Sequence, residues 1–280
     1  MKLGILTDST CDLPSHLLAE YDIEVVPAIL TIDGQSYRDG HDISREEFYT
    51  RLPAMRTPPT TAMPALAEYS APMQRLLDSG CGQVLALHAA EALTGIVNGA
   101  RLAAADFGDR VTVYDSGSLS LGLGFQALAA AEAAADGAGL DEALAAARGI
   151  RARTTIRAVL NTVEYVRRSG RVPGAVASLG SLLRIKPFIE LDEGQVRAIG
   201  MVRTAQQATD KVLGGLLGLG ELVRLAILHT NAEARARGLL DRLMQAGRMS
   251  LPREILIVNV TPAIGTHVGP DGLGFAAVTK

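Results

Sequence analysis

The first 150 residues alternate short apolar runs with helical ones, and that alternation leaves few folds open. LGILTD (3–8), EVVPAILTI (24–32), QVLALH (83–88) and RVTVYDS (110–116) read as strands. Between them, SHLLAEYD (15–22), ISREEFYTRL (43–52), ALAEYSAPMQRLLDSG (65–80) and TGIVNGARLAAADF (94–107) carry helical patterns. Ser44 suits the N-cap of the 43–52 helix, with acidic residues in its first turn. An alanine-rich helix is predicted from Leu121 to Ala135. Strands alternating with helices predict parallel βαβ units. Two strands end alike, in LTDST (6–10) and YDSGS (114–118). Ligands bind beyond the carboxyl ends of strands in open parallel sheets, so both Asp-Ser pairs are expected on the functional edge.

After residue 150 the pattern changes. KPFIEL and QVRAIGMV, joined by DEG, form a hairpin signal, preceded by a loop-helix from about residue 177. A helix over 205–217, a strand over 224–230, a helix over 232–247 and a strand over 253–260 follow. The prediction is a two-domain α/β chain. Residues 1–150 form an N-terminal parallel-sheet α/β domain. Residues 151–280 form a C-terminal α+β domain with a mixed or partly antiparallel sheet. No low-complexity linker separates them, so the domains are expected to pack closely and leave a cleft.

Composition narrows the function classes. Hydrophobic residues make up 48% of the 280 and charged residues 20%, which supplies a core and excludes global disorder. A net charge of −3, without a basic cluster, gives no footprint for nucleic acid. Cys11 and Cys81 stand far apart, so neither a zinc motif nor a disulfide framework is expected, and no metal site is predicted. No apolar run reaches the roughly 18 residues of a transmembrane segment, and the N-terminus does not read as a signal peptide. These features predict a reduced, cytoplasmic protein.

Several residues could carry chemistry. Ser9, Ser116, Asp8, Asp115 and His267 include the residue types of a Ser-His-Asp site, but no G-x-S-x-G elbow exposes a serine. Asp-Ser at a strand end also caps the following turn, which is its ordinary role. SLGLGF (120–125) is either a weak phosphate loop or close helix packing. In TPPTTAMPA (57–65), Thr60 and Thr61 are expected to precede a helix starting near Ala65. There they act either as an N-cap or as a carboxylate or phosphate site. RRSGRV (167–172) is a solvated basic face or an anion site. His267 sits among Gly265, Gly269, Gly272 and Gly274, which are expected to let backbone come close to a ligand rather than to serve packing.

Taken together, ILTDSTCDLP (5–14), YRDGHDISREEFY (37–49), PTTAMP (59–64), YDSGSLSLGLG (114–124), VEYVRRSGRV (163–172), SLLRIKPFIEL (181–191) and AIGTHVGPDGLG (263–274) resemble the DegV family, in the family's order. The resemblance implies a tunnel between two domains that buries one long-chain fatty acid. It also implies a non-catalytic role. A separate ATP-binding subunit of a fatty acid kinase phosphorylates the bound fatty acid, and the acyl phosphate feeds phospholipid synthesis. No cofactor is implied beyond the fatty acid ligand, and transient membrane contact is compatible with the role. Thr61 matches the threonine of the family's TSQP motif, which bonds the carboxylate. His267 matches the histidine of GTHxGP, beside that carboxylate. Thr94 is the hydroxyl remaining in AEALTGI (90–96), where the family has SSxLSGT. Arg171 matches the arginine of SGR, expected to face the kinase or the phosphate.

The sequence departs from the family twice. Ala62 and Met63 replace Ser-Gln, and Glu91 occupies a serine position. Two alternatives remain: a Ser/His hydrolase acting on acyl esters, and a binder of another amphiphilic lipid.

Overall fold

A computed structural model describes residues 2–170, 185–247 and 250–280. The first half runs β1 (Leu3–Asp8), α1 (Ser15–Glu20), β2 (Ile23–Val26), β3 (Ile29–Ile32), β4 (Gln35–Arg38), α2 (Arg45–Arg51), β5 (Thr60–Ala62), α3 (Leu66–Asp78), β6 (Gln83–His88), α4 (Ile96–Ala104), β7 (Val111–Asp115), α5 (Leu121–Ala135) and α6 (Leu140–Arg151). The second half runs β8 (Thr154–Val159), α7 (Glu164–Ser169), β9 (Lys186–Asp192), β10 (Gln195–Val202), α8 (Ala205–Leu217), β11 (Leu222–His229), α9 (Glu233–Ala246), β12 (Ile255–Asn259), α10 (Pro262–Val268) and β13 (Leu273–Thr279).

The described strands form three sheets. β2-β1-β6-β7 is wholly parallel, as the βαβ pattern predicts. β10-β9-β8-β13-β11-β12 is mixed, with only β11 and β12 parallel. The small antiparallel sheet β4-β3-β5 is not anticipated by the sequence pattern. It arises because EVVPAILTI is two strands, not one. Val26 still pairs with Asp8, but Pro27 offers no N–H and the Ala28 N–H turns to Ser9 Oγ at 3.0 Å. The chain therefore leaves the parallel sheet there. The N-cap of α2 is Ser44, whose hydroxyl accepts from Glu47 N–H at 3.0 Å.

Helix α5 lies between the two large sheets. Its face-independent run of leucine, glycine and alanine suits a helix buried on all sides. It shares one core with Ile5 and Leu87 of the parallel sheet and with Ile156, Ala226 and Ala276 of the mixed sheet. A Cβ on Gly122 would overlap Ile156 Cδ1 and Ser118 Oγ, and one on Gly124 would overlap the Cys11 carbonyl. The glycines of SLGLGF therefore serve close packing. Helices α3 and α4 cover the other face of the parallel sheet, and α8 and α9 the other face of the mixed sheet.

The hairpin the sequence signals is present, but Asp192 of DEG ends β9, leaving a two-residue turn with positive φ at Glu193 (45°) and Gly194 (73°). Its tip leans on the loop after β6, and Glu193 is ion-paired with Arg151. The loop-helix expected from residue 177 lies mostly outside the described residues.

Candidate functional site

Beyond the N-terminus of α5, the space between the large sheets opens into a cavity of about 170 Å³. One water needs only about 10–15 Å³ of such space, so the cavity is ligand-sized. Its floor is one face of the mixed sheet. Strand pairing sets Ile189, Ala158, Gly274 and Leu228 side by side in one row across β9, β8, β13 and β11. All four line the cavity, and Val196 extends it to β10. The opposite wall comes from Thr10, Ala89 and Leu119, just past the carboxyl ends of β1, β6 and β7, and from Val260, Ala263 and Ile264 around the start of α10. That is where an open parallel sheet binds ligands.

Most lining groups are apolar, and several of the polar ones are already engaged. Thr10 donates to Asp8, Ser120 donates to Asp12 at 2.6 Å, Ser169 donates to the Val166 carbonyl at 2.8 Å, and Thr230 accepts the Gly272 N–H at 2.7 Å. At one corner, Thr61 Oγ1 lies 3.2 Å from His267 Nε2, and Thr94 lines the same cavity. The structure thus brings three of the four sequence-predicted site residues, Thr61, Thr94 and His267, to one cavity. Arg171 lies outside the described residues. The neighbouring Arg168 is ion-paired with Glu164 within α7.

The local settings of these residues differ from expectation. Thr61 is not at a helix start: Thr60–Ala62 is β5, with Thr61 opposite Leu30, and α3 is N-capped by Ala65. The preceding prolines do set an extended approach, but extension continues into strand pairing. Thr94 accepts from the Ile96 N–H at 3.4 Å at the entrance to α4. His267 occupies the last turn of α10, which Pro262 opens at its first position. The glycines around it are largely packing devices. A Cβ on Gly265 would overlap the Tyr49 hydroxyl, and one on Gly269, at φ 75°, would run into the Tyr165 ring. Gly272 and Gly274 do line the cavity.

Two groups escaped the sequence reading. His229, at the end of β11, is a second cavity-lining histidine. Its Nδ1 accepts the Ala232 N–H at 3.2 Å, and burial lowers its pKa, so it is a neutral ring with its proton on Nε2. RLAILHT offers no signal for this role, since a histidine ending a strand is also an ordinary core residue.

The second is a set of buried carboxylates behind the cavity wall. Asp8 binds His88 at 3.1 Å and the Ala89 N–H at 3.0 Å. Burial raises its pKa, but His88 and the hydrogen bonds outweigh it and the net shift is downward. For Asp12, burial outweighs Arg45 and raises the pKa to about 6. Burial also raises Asp39.

The serines of both Asp-Ser pairs are engaged in structural hydrogen bonds. Ser9 donates to Asp39 at 2.8 Å and accepts from Ala28, and Ser116 donates to the Ser118 carbonyl at 3.2 Å. Both serve as turn and loop braces. Glu91, which replaces a serine of the family pattern, is exposed and paired with Arg101 at 2.7 Å.

The chain matches a family model described as "Uncharacterised protein, DegV family" over residues 2–280. A DegV domain-containing protein of Streptomyces coelicolor is 34% identical over 281 residues, covering 99% of each chain. A structure of a DegV family protein from Thermus thermophilus, described in terms of its fatty acid binding, has 32% identity. It matches with a TM-score of 0.91 over 100% of both chains. A DegV lipid-binding protein from Thermotoga maritima has 26% identity and a TM-score of 0.88, over 99% of this chain and 98% of that one.

Proposed function

The chain belongs to the DegV family, and on that premise we propose that it binds one long-chain fatty acid in the cavity between its sheets and presents the carboxylate to a separate ATP-dependent kinase subunit. The observation that carries the reading is the cavity itself, apolar along its length with Thr61, Thr94 and His267 at one corner. In this reading the acyl tail lies along the sheet floor and the carboxylate meets the corner. Neutral His267 donates one hydrogen bond, and a protonated ring adds charge as the carboxylate becomes an acyl phosphate. Arg171 faces the kinase or the phosphate. No cofactor is required of this chain.

The dimensions suit an acyl chain. From β10 to β11 there are four strand spacings, about 19 Å in all. An extended alkyl chain built from single bonds of roughly 1.5 Å advances about 1.25 Å per carbon, so about fifteen carbons cross that floor. Burying about 14 methylenes at roughly 0.8 kcal/mol each favours binding by on the order of 11 kcal/mol before ordering costs. The tail supplies affinity, and the corner supplies orientation.

The Ser/His hydrolase alternative would need Ser9 or Ser116 on the imidazole. The hydroxyl beside His267 is a threonine, and Ser9 and Ser116 are engaged elsewhere. Among the described residues no helix is long and apolar enough to cross a membrane.

Native mass spectrometry and organic extraction of freshly purified protein test the reading. One long-chain fatty acid per chain is expected, because a dry apolar cavity of this size is a poor site for water. No stoichiometric lipid, together with no uptake of added palmitate or oleate, would overturn it.

A further inference from the structure

We infer that Asp12 and Asp39 are positioning residues for the cavity: from behind its wall they clasp the start of α10 and so set where His267 stands. The inference rests on the cavity being an alkyl-chain site.

The clasp converges on one residue, Thr261, the N-cap of α10. Its N–H donates to Asp12 Oδ1 at 2.8 Å, and its hydroxyl donates to Asp39 Oδ2. Each carboxylate is tied back to the N-terminal half of the chain. Asp12 accepts from Ser120 at 2.6 Å and pairs with Arg45 at 3.3 Å. Asp39 accepts from Ser9 at 2.8 Å, and its own N–H donates to the Ala28 carbonyl at 2.9 Å. Arg45 also donates to the Asn259 carbonyl, and Tyr49 donates to the Val260 carbonyl at 2.9 Å. Every residue from Asn259 to Thr261 is thus gripped from the other half of the chain. The segment immediately following supplies Ala263, Ile264, His267 and Val268 to the cavity. α10 makes one short helix, so fixing its N-cap Thr261 fixes the imidazole six residues on.

Both aspartates are almost fully buried, at 1% and 2% exposure. Opening the clasp would return them to solvent, where their ordinary acidity is restored. The closed state therefore binds protons more tightly than the open one, and lowering pH favours closure. The charged and titratable surroundings are Arg45 and Tyr49 from α2, Cys11 and Asp8 from the chain around Asp12, and the two carboxylates on each other. His229 on β11 in turn senses Arg45 and Glu46. With Asp12 raised to about 6, closure should be about tenfold more favourable at pH 5 than at pH 7.5.

The test is the dissociation rate of two probes that do not titrate in this range, hexadecanol and hexadecyl sulfate below its micellar concentration. Both should leave about tenfold more slowly at pH 5 than at pH 7.5. Asp12→Asn should leave slowly at both pH values, because the amide cannot ionise. Asparagine also tolerates the left-handed backbone of this position, φ 59°. Thr261→Val keeps the N–H bond to Asp12 but removes the hydroxyl from Asp39, and should release both probes faster at either pH. A rate independent of pH, Asp12→Asn keeping the full pH dependence, or Thr261→Val at the parent rate would each overturn the clasp. So would an effect confined to hexadecyl sulfate, which would assign the dependence to the imidazole of His267. If Asp12→Asn does not fold, Thr261→Val decides alone. Failure of both probes to bind at any pH would instead overturn the alkyl-site reading beneath it.

Discussion

At the scale of single residues, the site depends on a contact between positions 206 apart, Thr61 and His267 at 3.2 Å. Replacing Thr61 by Val keeps the β-branched shape that β5 wants and removes the hydroxyl. If that hydroxyl bonds a carboxylate, fatty acid affinity should fall by roughly 1–3 kcal/mol. Thermal stability should hardly move, since Thr61 is half-buried at the rim of a three-residue strand. Calorimetric titration with palmitate checks it, and an unchanged affinity would reduce Thr61 to a rim residue that merely touches His267. Neither residue could be assigned from its own neighbourhood. The stretch around Thr61 reads equally as a helix cap or an anion site, and that around His267 as a glycine loop near some ligand; the resemblance to the family is what pairs the two residues at one carboxylate. Asp12 and Asp39 were less legible still. An aspartate after a strand or before a glycine reads as a turn residue, and burial by partners far along the chain leaves no local mark.

At the scale of elements, the regular pieces were legible where period and punctuation agree. β6 at Gln83–His88, α5 at Leu121–Ala135 and α8 at Ala205–Leu217 match their predicted spans. The pattern failed where pairing overrode it. A run of apolar residues cannot report that Pro27 moves its second half into another sheet, nor that PTTAMP extends into β5. For the two glycines of α5 the sequence offers close helix packing beside a weak phosphate loop, and packing is what the structure shows. The packing makes a measurable claim about that. Gly122→Ala would favour the helix by propensity alone, by up to about 1 kcal/mol. The added methyl, however, would overlap Ile156 Cδ1 and Ser118 Oγ. Overpacking of this kind costs typically 1–3 kcal/mol, so the substitution should destabilise the chain in urea unfolding. Adding Ile156→Val removes one of the two obstructing atoms and should recover part of the loss. A stabilised Gly122→Ala protein would mean that α5 and the mixed sheet are less closely packed than described.

At the scale of the whole molecule, the fold separates two tasks in space. The mixed sheet, α10 and the loops past the carboxyl ends of β1, β6 and β7 enclose the cavity, so in the proposed reading affinity for an alkyl tail belongs to the interior. In the same proposed reading, presentation of a carboxylate to a second protein would instead happen at the surface near the Thr61–His267 corner. Arg171, matched to the family's SGR arginine, lies outside the described residues, and its assignment rests on the resemblance alone. If its guanidinium contacts the kinase or the developing acyl phosphate, Arg171→Ala should retain its bound lipid while phosphorylation by a matched kinase subunit falls. Removing electrostatic stabilisation from developing charge commonly slows a reaction on the order of a hundredfold or more, far outside assay error. His267→Ala should also slow transfer, but with some loss of lipid, because the imidazole belongs to the cavity corner as well. The two substitutions therefore predict different ratios of lost transfer to lost lipid, measured on the same samples with labelled ATP and extraction. Arg171→Ala stripping the lipid would move that arginine into the binding site. Transfer at the parent rate would remove it from presentation altogether.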